Sequence, residues 1–375
     1  MKLAELKPFF DKDDIQFILE NFEELLSGDG YLTMGKYCKQ FENGFAEYQD
    51  NKYAISCNSG TAALEMICRS MNIDGKEVIL PTNTFIATAN AIINAGGTPV
   101  FADIKDDMQL DPEDVIRKIT NNTKAVMTVH IGGYVSPNIV DLVSICKDNN
   151  ILLFEDAAQA HGTYYNGKMA GTFGIGGGFS FFSTKVMTTG EGGMVSTNDN
   201  YLYEQSKLLR QYGKVPFSIY QNYSEILGYN WRMTEVCALM GIRQLDKLEL
   251  FIKRRTEIAK IYNDKLKNIP NMEFMPVNDD VRFNWFKYII YLKGIDREKF
   301  HLKLKNDYNI NLSGYVYEIP LHKQPALKSF ITNDNYPVAN EICSSHICLP
   351  LFYSLSDDEV NYIIDSLKKC LATLA

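Results

Sequence analysis

Short stretches rich in β-branched and aromatic residues alternate with helical patterns along the first half of the chain, and this alternation restricts its fold most strongly. The expected strands are Tyr53–Cys57, Glu77–Leu80, Thr98–Ala102, Ala125–Val129, Ile151–Glu155, Phe179–Phe182 and Gly193–Ser196. Between them lie helical patterns such as Ala62–Met71, Ile86–Ala95, Val140–Asp148 and Leu202–Tyr212. Alternation of this kind produces a parallel sheet with helices on both faces. We therefore predict an α/β fold with a mainly parallel, seven-stranded sheet.

The rest of the chain has a different character. Apolar residues recur at helical spacing over residues 234–266, without Pro or Gly after Gly241, which predicts one long helix linking two domains. Further elements are expected at Tyr288–Leu292, Arg297–Lys305 and Asp357–Leu371. They predict a smaller α+β domain. A length of 375 residues suits two domains, and we place them at 1–245 and 246–375.

Composition narrows the classes of function. With 38 basic and 46 acidic residues the net charge is −8, which disfavours a concentrated basic surface for nucleic acid. No apolar run approaches the roughly 20 residues of a membrane span, and the first residues lack a signal-peptide pattern. The eight cysteines form no C-x-x-C pair and predict scattered buried thiols. We expect a cytoplasmic enzyme that binds neither nucleic acid nor membrane.

A strand, a glycine turn and a helix start follow one another at residues 57–64, Cys-Asn-Ser-Gly-Thr-Ala-Ala-Leu. Backbone N–H groups and the hydroxyls of Ser59 and Thr61 would face an anion at the positive end of this helix. An ordinary N-cap by Ser or Thr explains the same pattern. The residues alone leave both interpretations open.

Residues 154–162, Phe-Glu-Asp-Ala-Ala-Gln-Ala-His-Gly, bring an acid to the end of a hydrophobic strand. Asp156 can hold a heteroaromatic ring nitrogen protonated, because that charged pair is favoured where water is excluded. Gln159 can reach a second polar group of the same ligand. A metal site built on Asp156 and His161 is the alternative. It lacks a clear third ligand and a recognisable spacing, so we expect no metal.

Lys185 closes the segment Phe-Ser-Phe-Phe-Ser-Thr-Lys and precedes turn glycines at 190, 192 and 193. Desolvation among aromatic and small residues lowers a lysine pKa and yields a neutral amine that attacks carbonyls. An exposed loop lysine is the alternative.

Residues 174–178, Gly-Ile-Gly-Gly-Gly, resemble part of a dinucleotide fingerprint but lack its last glycine and downstream acid. We interpret them as flexible backbone before the lysine strand.

The three segments occur in the order anion turn, aspartate, lysine, and here the sequence resembles the DegT-type sugar aminotransferases. These are pyridoxal 5′-phosphate (PLP) enzymes with the fold type I of aspartate aminotransferase. The resemblance covers nearly the whole chain, with matching segments at residues 35–42, 59–61, 81–85, 155–162, 180–193, 228–233 and 349–351. Some relatives replace the lysine by histidine and catalyse dehydration. This chain keeps Lys185, which favours transamination.

The resemblance implies roles for individual residues. Lys185 and Asp156 are catalytic: Lys185 carries PLP as a Schiff base, and Asp156 pairs with the pyridine nitrogen. Gln159 lies near the phenolic oxygen, and Phe85 stacks on the ring. The residues expected around the phosphate are Ser59, Gly60, Thr61 and Ser180. Asn230 is expected to reach the phosphate of a neighbouring subunit's cofactor, which implies a homodimer with shared active sites.

The resemblance also implies the substrates. L-glutamate is the expected amino donor, and the expected acceptor is a ketosugar linked to a nucleotide, destined for a surface polysaccharide or another glycan. Candidate acceptor contacts are Tyr31, Thr33, His322 and Lys323, although each can equally be a surface or packing residue. A smaller keto compound, such as a keto-inositol or a ketose phosphate, is the alternative acceptor. A PLP-dependent sugar dehydratase is the alternative activity.

Overall fold

The computed structural model describes residues 8–28, 31–215, 223–332 and 334–374. Its largest sheet consists of β1 (Tyr53–Cys57), β2 (Glu77–Pro81), β3 (Thr98–Ala102), β4 (Thr123–Val129), β5 (Leu152–Asp156), β6 (Gly176–Ser180) and β7 (Gly193–Thr197). The strands lie in the order β1-β7-β6-β5-β4-β2-β3. Strand β7 runs antiparallel to both neighbours, and every other pair is parallel. The predicted mainly parallel, seven-stranded α/β sheet is confirmed.

The helices that accompany this sheet begin mostly at polar capping residues. They are α1 (Lys12–Ser27), α2 (Lys36–Tyr48), α3 (Gly60–Ser70), α4 (Ile86–Asn94), α5 (Pro112–Lys118), α6 (Ile139–Asp148), α7 (Asn200–Arg210) and α8 (Glu235–Asp246). The side chains of Asp11, Asp111 and Asp199 accept hydrogen bonds from the first turns of α1, α5 and α7. Such caps satisfy backbone N–H groups that a helix start leaves without a partner.

Helix α2 has a cap that comes from a distant part of the chain. Its own N-cap residue is Gly35, which has no side chain to accept a bond. The buried Glu235 carboxylate accepts instead from the backbone N–H groups of Gly35 at 2.6 Å and Tyr37 at 2.7 Å. A Cβ atom at residue 35 would lie 3.0 Å from that carboxylate, so glycine makes room for the cap.

The sheet separates two hydrophobic clusters, because neighbouring strand residues face opposite sides. Val78 and Leu80 pack in one cluster with residues of α3 and α4, whereas Ile79 packs in the other with residues of α2 and α8. Seven of the eight cysteines are buried and all eight are free thiols, which confirms the expected scattered thiols. Within the described residues, no helix is both long and apolar enough to cross a lipid bilayer.

The C-terminal part has its own three-stranded antiparallel sheet, β8 (Met272–Phe274), β9 (Tyr288–Leu292) and β10 (His346–Leu349), with β9 in the centre. Its helices are α9 (Leu248–Leu266), α10 (Arg297–Tyr308), α11 (Pro337–Ser345) and α12 (Asp357–Ala372). A third hydrophobic cluster begins at Ile258 and includes residues from α9, α10 and α12. Leu321 and Tyr336, however, belong to the same cluster as α3 and α4. The division at 245/246 stays a prediction.

Two expectations about local structure are wrong. The predicted long helix over residues 234–266 is two helices, α8 and α9, with a turn at Lys247 (φ −105°, ψ 0°), whose N–H donates to the Gln244 carbonyl three residues earlier at 3.3 Å. Leu239 of α8 and Leu248 of α9 are both buried, so the apolar pattern continues across the break and conceals it. The stretch read as flexible backbone, residues 174–178, contributes Gly176, Gly177 and Gly178 to strand β6.

Close packing explains why β6 begins with three glycines. A Cβ atom at residue 177 would lie 2.5 Å from the Gly171 Cα atom, and one at residue 178 would lie 2.7 Å from the Leu64 side chain. Gly171 is held against the strand because its N–H donates to the buried Glu155 carboxylate at 2.6 Å. Glycine is therefore required by the approach of neighbouring chain segments and not by flexibility.

We expect Gly177→Ala to lower the free energy of unfolding by about 1–3 kcal/mol, because the added methyl group overlaps backbone that cannot move cheaply. Urea unfolding of the purified protein measures this change. Gly44→Ala in α2 is the matched control, since its Cβ meets only the end of the Leu245 side chain, at 3.3 Å. Equal stability of Gly177→Ala and the unmodified protein would contradict the close packing of β6.

Candidate active site

A cavity of about 280 Å³ lies beyond the carboxyl ends of β1, β5 and β6. This is the edge at which parallel sheets of this kind bind ligands. Eight of the nine residues predicted to bind a cofactor line it: Ser59, Gly60, Thr61, Phe85, Asp156, Gln159, Ser180 and Lys185. Residues that are separated by up to 126 positions in the chain therefore surround one space.

Asp156 ends strand β5 and is buried, with 6% of its surface exposed. The Thr88 hydroxyl donates to its Oδ2 atom at 2.7 Å, and the Ala158 N–H donates to Oδ1 at 3.1 Å. Burial raises the pKa of Asp156, while the bonds from Thr88 and Ala158 and the charge of Lys185 act in the opposite direction. A cationic N–H group in the cavity would therefore be a favourable partner for this carboxylate.

Lys185 lies in the turn that connects β6 to β7, where its N–H donates to the Phe182 carbonyl at 2.9 Å. Its amine is 5.1 Å from the centre of the buried Phe286 ring. Burial lowers the pKa of Lys185 to about 8, opposed by the Asp156 charge and assisted by Lys287. A neutral amine is therefore accessible near neutral pH, as the nucleophile interpretation requires.

The start of helix α3 forms one end of the cavity. The Ser59 hydroxyl accepts from the Ala62 N–H at 3.1 Å, so the N-cap interpretation is correct, and Ser59 also lines the cavity. A Cβ atom at residue 60 would lie 2.7 Å from the Ser180 Cβ atom, which leaves only glycine at this approach. Unpaired N–H groups at a helix start, beside the Thr61 and Ser180 hydroxyls, suit a phosphate.

Aromatic and amide groups form the opposite wall. The Gln159 Oε1 atom accepts from the Gly132 N–H at 2.8 Å, and its Nε2 atom donates to the Tyr317 hydroxyl at 2.6 Å. The rings of Phe85 and Tyr317 lie 5.9 Å apart at an angle of 29°. Phe85 is 55% exposed, so it presents a free ring face to the cavity mouth.

The other predicted contacts lie outside the residues that line this cavity. Asn230 is exposed, and its carbonyl accepts from the Asn58 side chain at 3.5 Å, next to the α3 turn. Tyr31 is 82% exposed, and Thr33 forms an isolated β-bridge with Thr234. Both Asn230 and the Tyr31 segment are thus accessible to another molecule.

The two candidates near the Pro320 turn differ from each other. The Nδ1 atom of His322 lies 2.7 Å from the Thr82 hydroxyl, and its Nε2 atom lies 3.1 Å from the Asn340 Oδ1 atom. Its ring also stacks on Tyr336, with the centres 4.5 Å apart. Lys323 is exposed. His322 therefore joins chain segments, whereas Lys323 extends toward solvent.

The metal alternative used Asp156 together with His161. The His161 ring lies 5.5 Å from Phe179 and 5.6 Å from Phe181, and burial lowers its pKa to about 3. Over the described ranges of the chain, no group of three or more His, Cys, Asp or Glu side chains is arranged to hold a metal ion.

The sequence did not point to three residues of this site: Glu191 and Tyr317, which line the cavity, and Thr88, which binds Asp156. Thr88 lies one turn after Phe85 in α4, where its helical position could have suggested a partner for Asp156. Glu191 belongs to the turn-glycine block that follows Lys185. Tyr317 comes from the C-terminal part of the chain and carries no local signal, because only the tertiary fold brings it to Gln159.

The fold and the cavity define a class: a fold type I enzyme in which a lysine holds PLP. A buried carboxylate for the ring nitrogen, an amine of lowered pKa, an exposed aromatic face and a phosphate-binding helix start all fit the cofactor. The chain belongs to the DegT/DnrJ/EryC1/StrS aminotransferase family, whose model matches residues 12–368. It is a PLP-dependent aminotransferase, which confirms the class of enzyme expected from the sequence.

Individual relatives are similar over most of their length. GDP-perosamine synthase of Escherichia coli O157:H7 is 36% identical, covering 93% of this chain and 94% of its own. The dTDP-3-amino-3,6-dideoxy-alpha-D-galactopyranose transaminase of Aneurinibacillus thermoaerophilus is 35% identical, covering 91% and 92%. Among solved structures, PseC of Helicobacter pylori, an aminotransferase of pseudoaminic acid biosynthesis, has a TM-score of 0.91 at 28% identity, covering both chains completely.

We expect the rate at which added PLP forms its coloured Schiff base with the apoenzyme to rise with pH and to level off above about 8. The pKa of Lys185 is lowered to about 8, so the neutral amine predominates above that pH. Stopped-flow absorbance across a pH series measures the rate. Lys185→Ala should lack this absorbance change at every pH and show only the spectrum of free PLP. A midpoint near 10.5, the ordinary lysine value, would contradict the shielding of this amine.

Proposed function

We propose that the enzyme transfers the amino group of L-glutamate to the keto group of a sugar linked to a nucleoside diphosphate. The observation that carries this proposal is the shared cavity, which the Lys185 amine and the Asp156 carboxylate line together with the start of helix α3. Two relatives support the acceptor class, since one is named for a GDP-linked sugar and the other for a dTDP-linked sugar.

Bound PLP supplies an electron sink for the negative charge that develops when the donor loses its α-proton. Once the amine of the donor has replaced Lys185 on the cofactor, Lys185 is free to act through its Nζ atom as general base and general acid. As the neutral amine it accepts the α-proton of the donor. As the ammonium form it returns a proton to the cofactor carbon that is bonded to the donor nitrogen. The lowered pKa of Lys185 suits both directions, because it brings the neutral amine within reach near neutral pH while the ammonium form remains populated.

Asp156 maintains the charge distribution that this proton transfer requires. Its carboxylate would keep a proton on the ring nitrogen of the cofactor. Thr88 and Ala158 donate to both of its oxygens and so fix its orientation in the cavity. Because the carboxylate is buried, water competes weakly for it, and the charged pair gains strength.

The proposal includes a homodimer in which each subunit completes the other's site. Phe85 and Phe182 line the cavity, yet 55% and 43% of their surfaces are exposed in the single chain. Exposed aromatic side chains at a cavity mouth favour a covering partner. Asn230, exposed beside the α3 turn, is the residue that we expect to contact the partner's cofactor phosphate.

For the acceptor we propose contacts from Tyr31, Thr33 and Lys323. A nucleoside diphosphate is anionic, and a chain with net charge −8 must meet that charge with local groups, of which Lys323 is one. His322 is a poorer candidate, because it would have to release Thr82 or Asn340 before its ring could bind an acceptor.

A panel of acceptors tests the substrate class. With L-glutamate as donor, we expect the holoenzyme to form 2-oxoglutarate and an aminated product with GDP-, dTDP- or UDP-linked ketosugars. Mass spectrometry of the products identifies the reaction. A keto-inositol and a ketose phosphate represent the smaller alternatives, and Lys185→Ala is the inactive control. Turnover of a small keto compound with no turnover of any nucleotide sugar would overturn the proposed acceptor.

The donor half of the reaction is measured separately. Glutamate alone should convert the coloured cofactor to its amine form, with loss of visible absorbance. A dehydratase would release no 2-oxoglutarate in this assay. Because the assay contains no acceptor, its result does not depend on the identity of the acceptor.

Subunit mixing tests the shared sites. Lys185→Ala and Asn230→Ala proteins should each turn over poorly, the second because its hold on the phosphate is weakened. A heterodimer of the two contains one site with both residues intact, so mixing with subunit exchange should restore up to about a quarter of full activity at equal amounts. Activity no higher than the average of the separate proteins would contradict sharing through Asn230.

A further inference from the structure

Among the described residues that line the catalytic cavity, Tyr317 is the one from the C-terminal part of the chain. The other residues that line this cavity come from positions 59–191. The Tyr317 oxygen accepts a hydrogen bond from the Gln159 Nε2 atom at 2.6 Å. An amide nitrogen only donates, so the hydroxyl proton of Tyr317 stays available for another acceptor.

The orientation of the Gln159 amide is determined by its partners. The Gly132 N–H can only donate, and it lies 2.8 Å from Oε1, so this atom is the oxygen and Nε2 the nitrogen. One hydrogen of Nε2 is used by Tyr317, and the second remains. Gln159 and Tyr317 together therefore hold two donor hydrogens at the wall of the cavity.

The backbone at Tyr317 is strained. Its φ of 65° lies in the left-handed region, which a bulky residue adopts only when its surroundings impose it. On one side, the Val316 N–H donates to the buried His346 Nε2 atom at 2.8 Å. The His346 Nδ1 atom lies 2.9 Å from the Ile342 carbonyl and so carries the proton of a neutral ring.

The other side of the strained residue is tied to the turn that carries Phe85. The Leu321 N–H donates to the Thr82 carbonyl at 2.6 Å, and the Thr82 hydroxyl binds the His322 ring at 2.7 Å. Thr82 precedes Phe85 by three residues, so these bonds fix the Tyr317 and Phe85 rings relative to each other. The left-handed backbone of Tyr317 costs conformational free energy and is held by hydrogen bonds on both sides. Such a residue is a candidate for a functional role.

We propose that Tyr317 is a positioning residue. Its hydroxyl is held against the Gln159 amide by the loop that is bonded to His346 and Thr82. Together, Tyr317 and Gln159 provide two hydrogen-bond donors for the phenolic oxygen of PLP. The inference rests on PLP occupying the cavity between Lys185 and Asp156, and it does not depend on the acceptor. Asp156, Lys185 and Glu191 are the ionisable residues that line the cavity with Tyr317.

A donor pair at the phenolic oxygen has a spectroscopic consequence. Hydrogen bonds to this oxygen compete with the protonated nitrogen of the Lys185 Schiff base for the same negative charge. They therefore favour loss of that nitrogen's proton. Without them the proton should be held to higher pH.

The test is a pH titration of the visible absorbance of the holoenzyme without substrates. We expect Tyr317→Phe to raise the midpoint by about one pH unit, because the variant keeps the ring and loses only the hydroxyl. We expect kcat to fall about tenfold, with KM for glutamate changed less than about twofold, since proton transfer and not donor binding is affected. Thermal unfolding should be nearly unchanged.

Two further variants separate positioning from a general structural effect. Tyr315→Phe is the matched control; Tyr315 lies in the same loop, but its hydroxyl binds His301 at 3.0 Å, and its titration should match that of the unmodified enzyme. Gln159→Glu should raise the midpoint as Tyr317→Phe does, because a carboxylate donates nothing and takes the Tyr317 proton. Combining it with Tyr317→Phe should give less than the sum of the two shifts.

The proposal is overturned if Tyr317→Phe titrates like the unmodified enzyme, or if Tyr315→Phe shifts the midpoint equally. Additive shifts in the double variant would show that the two side chains act separately, which also excludes a joint donor pair. The enzyme could fail to transaminate any sugar while the variants still show the shifts in absorbance midpoint. That result would refute the proposed acceptor but not the role of Tyr317.

Discussion

The structure depends on keeping an amine and a carboxylate together in one poorly hydrated cavity. Burial alone would protonate Asp156 and deprotonate Lys185, and the pKa of each group moves in that direction. Each moderates the shift of the other, and Thr88 and Ala158 supply the remaining hydrogen bonds to the carboxylate. Holding these two groups away from water costs desolvation free energy. The packing of the surrounding sheet and loops must compensate for it.

Strand β5 shows how the fold meets that constraint with two adjacent acids. Because neighbouring residues of a strand face opposite sides of a sheet, Glu155 and Asp156 serve different purposes. Glu155 accepts from His130 and from the N–H groups of residues 171, 173 and 174, which holds the segment packed on β6. Asp156 faces the ligand. One acid thus stabilises the wall of the cavity that the other uses.

Local patterns predicted the parts of the molecule that depend on local chemistry. Strand alternation predicted the sheet, and the segments around Ser59, Asp156 and Lys185 predicted residues that line one cavity, since each lies at or after a strand end that the topology brings to one edge. The break at Lys247 escaped prediction because burial continues across it. Tyr317 and the glycine packing of β6 escaped because both depend on contacts between distant segments, which no local period encodes.

The strand order also determines when the site comes into being during synthesis. Strand β1 pairs in the final sheet with β7, where Tyr53 lies opposite Thr197. The backbone hydrogen bonds of β1 therefore cannot form until β7 has been synthesised. The wall formed by Tyr317 requires a still later part of the chain. Contacts of such long sequence separation form slowly. A chain that ends before Tyr317 therefore lacks one wall of the cavity, and the complete site forms only after most of the chain has been made.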